Sequence, residues 1–195
     1  MASSKKNAAR RRAAIVFIDE TGFLMSPLVR RSWAPRGCTP VITQRGRNWR
    51  KVSVIGALVI SPRRRRVRAY FGFLPDANYE GESILDFLKQ LRRSVRAPIE
   101  LLWDRLLAHR GEPIASWQVH HRARVRVHLF PPYAPELNPV ELIWGHVKNN
   151  GLANFAPHEL PELLDQTQVA VLAAGDDEPL LRSFIAHSAL FLRLR

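Results

Sequence analysis

Three acidic residues stand where they can act together. Asp19 closes the apolar run 13–18, Asp104 closes the apolar run 99–103, and Glu141 is the third residue of a helix opened by Asn138 and Pro139. An aspartate beside a buried strand is costly unless it is hydrogen-bonded, ion-paired or bound to metal. Carboxylates gathered at one point repel, raising the pKa of at least one of them, whereas hard divalent cations with oxygen ligands hold all of them ionised. A set of this kind asks for two divalent cations, Mg2+ or Mn2+. Such ions, about 3.5–4 Å apart, can activate an attacking water or hydroxyl and stabilise the leaving oxygen of an in-line displacement at phosphorus. The chemistry needs acids and metal and no protein nucleophile.

Each acid also has an ordinary use. Asp19 fits a turn before Thr21 and Gly22, Asp104 fits a helix cap, and Glu141 fits the acidic half of a capping box with Asn138. Glu20, Glu100 and Glu136 compete for the same roles, and spacing alone does not select among the six.

The elements that must position these acids are legible from periodicity. The run 13–18 reads as a buried central strand stopped by a turn at 19–22. Residues 23–50 are rich in Pro, Gly and Arg and read as loop with at most one strand. Residues 52–60 and 67–74 form a hairpin around the tip 61–65, the second arm alternating apolar and polar positions. Over 79–96, Ile84, Phe87, Leu88, Leu91 and Val95 recur at helical spacing. Pro98 ends that helix and the strand 99–103 follows. Then come a helix over 114–121, a strand over 125–130, the helix opened by Asn138 with its stripe Val140, Ile143, Trp144 and Val147, and helices over 158–172 and 178–192. The order predicts an α/β fold, a mixed central sheet with helices on both faces. Glu141 then lies about 100° round from Val140, on the flank of the buried stripe with Gly145 and Lys148.

The chain has 195 residues, 46% of them hydrophobic, enough for one substantial core, and 30 Lys and Arg against 17 acids give a net charge of +13. That field attracts a polyanion, and nucleic acid is the expected partner. Residues 1–12 carry a basic cluster without periodicity and read as a disordered arm. Arg45, Arg47, Trp49, Arg50 and Lys51 interleave cations with an aromatic ring, a composition for phosphate contact and stacking, although a solvated loop with Trp49 in the core fits as well. Arg63 to Arg66 form a hairpin tip that can clamp a backbone or simply be solvated. The single cysteine, Cys38, excludes an internal disulfide and a multi-cysteine zinc site, and His120, His121 and His128 lack metal spacing. No apolar run suits a membrane span, so the expected setting is soluble and cytoplasmic, near bacterial DNA.

The segment from Phe130 to Trp144 (FPPYAPELNPVELIW), followed by Lys148, closely resembles the third catalytic motif of DDE-type transposases of the mariner-like superfamily, especially the bacterial insertion-sequence branch. Val16 to Gly22 (VFIDETG) resembles the family's first motif, Trp33 to Gly37 with Pro40 its downstream signature, and Leu101 to Asp104 with His109 its second motif. The resemblance runs from Ala13 to about Leu172. It implies a ribonuclease-H-like fold, Asp19, Asp104 and Glu141 as catalytic and metal-holding acids, and DNA contacts that include Arg105, His109, Asn138 and Lys148. The 37 positions from Asp104 to Glu141 suit the family's short second gap. One departure is Arg105, where relatives usually carry Asn. The implied activity is metal-dependent cleavage of double-stranded DNA and strand transfer, with transposon ends and target as partners and a homodimer on DNA. The alternatives are a ribonuclease-H-like nuclease that only hydrolyses and an inactive DNA-binding remnant. Complete relatives carry an N-terminal pair of helix-turn-helix modules. With twelve residues before the first strand, that reading domain is expected to be absent here, or supplied as a separately encoded part.

Overall fold

In the computed structural model, residues 8–44, 49–104, 111–132, 134–190, 192 and 194 are described. Five strands, β1 (Ala14–Leu24), β2 (Lys51–Ile60), β3 (Val67–Pro75), β4 (Ile99–Trp103) and β5 (Val125–Leu129), form one sheet in the order β3-β2-β1-β4-β5. The first three run antiparallel as a meander, while β4 and β5 lie parallel to β1 and to each other. Parallel pairing requires crossovers, supplied by α1 (Gly81–Ser94) and α2 (Glu112–His121). Three further helices follow: α3 (Pro139–His146), continued by a π-helical turn (Val147–Gly151), then α4 (Leu160–Asp176) and α5 (Glu178–His187).

Alternation along the strands divides the core in two. Ile15, Phe17, Phe23, Val54, Leu58 and Ile60 face α3, α4 and α5 with Ile143, Trp144, Leu163, Val171 and Leu181. Val16, Ile18, Ile55, Ala57 and Val59 face α1 and α2 with Ile84, Leu88, Leu91 and Trp117. Strands β1 and β2 are buried on both faces, which explains their continuous apolar runs. The expected mixed sheet covered on both sides is what forms. Among the described residues no helix is long and apolar enough to cross a membrane.

Two expectations change. The first strand does not stop at Asp19: it continues through Leu24, because β2 pairs with every residue from Ile15 to Leu24 and this ladder overrides the turn signal of Thr21 and Gly22. The basic arm is structured from Ala8 on. Residues 8–11 make a helical turn, Ala8 is buried, and Arg11 reaches Glu100 at 2.7 Å. The segment 25–44 contains no strand, only a bridge between Leu28 and Ala153.

Candidate active site

The parallel pairing of β1 with β4 sets two of the acids side by side. It joins Ile15 to Glu100 and Phe17 to Leu102, so the same register carried forward joins Asp19 to Asp104, on strands about 4.8 Å apart. Residues two apart share a face, which assigns both aspartates to the face of Phe17 and Leu102, the face covered by α3. On its other side Asp19 lies opposite Gly56 of β2.

Helix α3 is anchored at this point by Asn138. Its side-chain oxygen accepts from the N–H of Val140 at 3.2 Å, and its amide nitrogen donates to the carbonyl of Ile18 at 3.3 Å. The N-cap residue therefore ties the helix start to the strand residue next to Asp19. Asn138 is buried with both ends of its amide engaged, so the DNA contact expected of it gives way to positioning. Its own N–H goes to the carbonyl of Pro135, so Glu141 does not close a capping box there.

Trp144, one turn along α3, lies across the sheet. Its indole N–H donates to Asp19 Oδ2 at 2.8 Å. The ring passes directly over Gly56, where a Cβ would stand 2.6 Å from the indole, and is flanked by Phe23 and Phe71 at centroid distances of 6.4 and 6.0 Å. Gly56 is thus the gap in β2 through which Trp144 reaches Asp19. Sequence reasoning assigned Trp144 only to the apolar stripe and passed over Gly56, although a glycine inside a buried strand is itself a sign of close approach.

The electrostatics of the cluster are strained. Asp19 is 6% exposed, and its carboxyl is pushed well above the usual carboxylate range, first by burial, then by Glu141, Glu20 and Asp104, against the lowering effect of the Trp144 hydrogen bond. Glu141 is raised by burial and by Asp104 and lowered by Lys148. Lys148, on the π-helical turn, is lowered by burial, while Glu141 and Asp19 favour its charge. Its Nζ donates to Thr21 Oγ1 at 2.7 Å and sits 5.4 Å from the Phe23 ring centre. Asp19, Asp104, Glu141 and Lys148 therefore share one field.

Of the competing acids, Glu100 and Glu136 fall elsewhere, while Glu20 adds its charge to the field at Asp19 from the other face of β1. Glu100 stands beside Ile15, at the opposite end of β4, and is consumed by Arg11 at 2.7 Å and His128 at 2.5 Å. Glu20 follows Asp19 and so turns to the α1 face, where it helps burial push the Tyr79 phenol up to about 12. Glu136 is exposed on a short 3-10 turn (Pro135–Leu137).

The donor set fits a hard divalent cation in type: three carboxylates, with buried Asp19 raised by Glu141 and Asp104, Glu141 raised by Asp104, and Asp19 Oδ2 on the indole while its second oxygen is still able to coordinate. Among the described residues no three His, Cys, Asp or Glu side chains stand close enough to hold an ion as they are.

Of the expected DNA contacts, Trp49 is exposed rather than in the core. Arg50 pairs with Asp76 at 3.0 Å, and Lys51 donates to Asn78. Both stand at the Leu24 end of β1, five residues along the strand from Asp19. Arg45, Arg47, Arg105 and His109 lie outside the described residues.

A family model described as DDE superfamily endonuclease matches residues 14–163. No curated protein matches the sequence. Among solved structures, a Mos1 mariner paired-end complex with Mg is similar at 15% identity and a TM-score of 0.62, over 95% of this chain and 58% of that one. The Mos1 mariner transposase catalytic domain is similar at 13% identity and 0.50, over 98% and 89%. A simian T-cell lymphotropic virus intasome is similar at 13% and 0.51, over 93% and 56%. The fold of this chain is theirs, and the chain spans about three fifths of the longer mariner chains.

Proposed function

Because the chain belongs to the DDE superfamily of endonucleases, we propose that it is a transposase catalytic domain that cuts DNA and transfers the cut strand, with Asp19, Asp104 and Glu141 holding two divalent cations. The observation that supports this reading is the parallel pairing of β1 with β4, whose register, extended two residues beyond Phe17 and Leu102, brings Asp104 beside Asp19 near the helix that bears Glu141. Mariner structures similar to this chain contain Mn or Mg, which supports the same ions here. When bound, the ions supply Lewis-acid activation of the attacking oxygen and charge stabilisation of the leaving one.

The protein's own groups have separable tasks. Trp144 fixes one oxygen of Asp19 and so orients the other. Lys148, held on Thr21 beside the acids, supplies a positive charge for a phosphate oxygen. Trp49, Arg50 and Lys51, at the Leu24 end of β1, extend the contact along the DNA backbone, with Arg45, Arg47, Arg105 and His109 as further candidates. The finer reading is a member of the bacterial insertion-sequence branch that acts on transposon ends and target as a homodimer. Its support is the segment from Phe130 to Trp144 and the gap of 37 positions between Asp104 and Glu141.

Nicking of a supercoiled plasmid tests the reading. Wild type is expected to nick in Mn2+ or Mg2+ and to stop in chelator, and Asp19→Ala, Asp104→Ala and Glu141→Ala are each expected to lose roughly 10³-fold, the worth of several kcal/mol of charge stabilisation. Equal rates in all four proteins exclude this triad.

A further inference from the structure

The tip of the β2–β3 hairpin carries the reverse charge. The β2–β3 hairpin closes through Ser61, whose N–H bonds the Arg66 carbonyl at 2.9 Å and whose hydroxyl oxygen accepts from the N–H groups of Arg65 and Arg66 at 3.2 and 3.0 Å. Arg64 takes a left-handed backbone, φ 56°, to complete the turn. Helix α5 braces it: Glu178 accepts from the Val67 N–H at 3.1 Å, and Arg182 bonds both Glu178 and the Arg65 carbonyl. With the backbone groups so occupied, the tip is a fixed platform and its guanidinium groups are not needed to build it.

Those guanidinium groups surround a cleft. Arg63, Arg65 and Arg66 line it with Ser61 and Pro62, and Arg12 joins them from the turn before β1, around a volume of about 680 Å³. All four arginines are exposed. Among the described residues Arg12, Arg63 and Arg65 form no ion pair, and Glu178, the acid that senses Arg66, is already bonded to Val67 and Arg182. Four like charges converging, with only Arg66 in the field of an acid, repel one another, an arrangement stabilised by a bound anion. Guanidinium forks match phosphate oxygens in pairs, and four of them around one cleft suit successive phosphates better than a single small anion.

We propose that this cleft is a second DNA-backbone site, separate from the acids, in which Arg12, Arg63, Arg65 and Arg66 hold the phosphates of a duplex. Gly56, opposite Asp19, and Ile60, at the base of the tip, are four residues apart, roughly 14 Å of strand, and the tip extends beyond that. One continuous duplex, or two separate ones, can therefore touch both the acids and the tip. The site rests on the DNA reading above only for its choice of polyanion.

The test is the salt dependence of binding to a fluorescent duplex of unrelated sequence, without metal, from about 50 to about 200 mM salt. Each phosphate contact contributes about 0.9 to the slope of log affinity against log salt, so R63A/R65A is expected to flatten the slope by about 2 and weaken binding at least tenfold. R93A/R96A, which removes two cations on and just beyond the end of α1, is the control and is expected to change the slope by less than half as much. Unchanged binding by R63A/R65A, or an equal loss in the control, overturns the second site while leaving the acid site standing. Failure of wild type to bind the duplex at any of these salt concentrations removes both.

Discussion

Two buried acids sit four residues apart along the same strand pair and are treated in opposite ways. Glu100, beside Ile15, is fully enclosed and answered by Arg11 and His128. Asp19, aligned with Asp104 beyond the last paired residues of the two strands, has a neutral N–H from Trp144 and otherwise acidic company, with Lys148 as the cation in its field. Burial does not distinguish the two; the partners do. A buried carboxylate matched by a cation and a hydrogen-bond partner holds structure together, whereas one left among other carboxylates stores unfavourable energy that a cation from solution can release.

Removing one partner of a buried ion pair leaves the other charge uncompensated, so the largest expected effect on stability is at the Glu100 end. Arg11→Ala is expected to cost about 3 kcal/mol in urea unfolding while the folded fraction still nicks DNA at the wild-type rate. A loss of nicking without a loss of stability would place Glu100 on the functional side of the comparison.

The next effect tests how Asp19 is held. Gly56→Ala forces a Cβ to within 2.6 Å of the indole, and is expected to destabilise by about 1–3 kcal/mol through overpacking and to displace the N–H from Asp19. Trp144→Phe keeps most of the ring and removes only the donor. Both are expected to lower nicking by about 10–100-fold, the usual scale for groups that orient a metal ligand. Wild-type rates for Trp144→Phe would make the indole a packing residue only.

The smallest effect is the pH dependence of stability. Asp19 and Glu141 have native pKa values raised above their unfolded ones, so the native state keeps protons that the unfolded chain gives up. Their contribution is complete below the unfolded pKa, about 4, and is lost as pH rises through the native values. The Tm of metal-free wild type is therefore expected to fall relative to that of Asp19→Asn as pH rises above about 4, and Mn2+ is expected to reverse the difference. A difference constant with pH would show that Asp19 carries no such strain.

Much of the frame is readable in the chain. The two-sided burial of β1 and β2, the helical stripe of α1 and the Asn138-Pro139 start of α3 follow from periodicity and capping chemistry, and all form. The end of β1 was not readable, because Thr21 and Gly22 signal a turn locally and only the ladder with β2 overrides them. The Arg11–Glu100 contact joins residues 89 apart and leaves no local trace, which is why residues 8–12 read as a loose arm. For the site, the identity of the acids came from resemblance. Their alignment depends on the β1–β4 register, a long-range property that no spacing encodes, and the service of Trp144 depends on a missing side chain at Gly56.

The most direct measurement is Mn2+ binding itself, by titration calorimetry on the metal-free protein, comparing wild type with Asp19→Asn and Glu100→Gln. Wild type and Glu100→Gln are predicted to bind Mn2+ with equal affinity and stoichiometry, and Asp19→Asn is predicted to lose at least one ion. Equal binding by all three, or loss in Glu100→Gln alone, would contradict the assignment of the acid cluster around Asp19 as the metal centre.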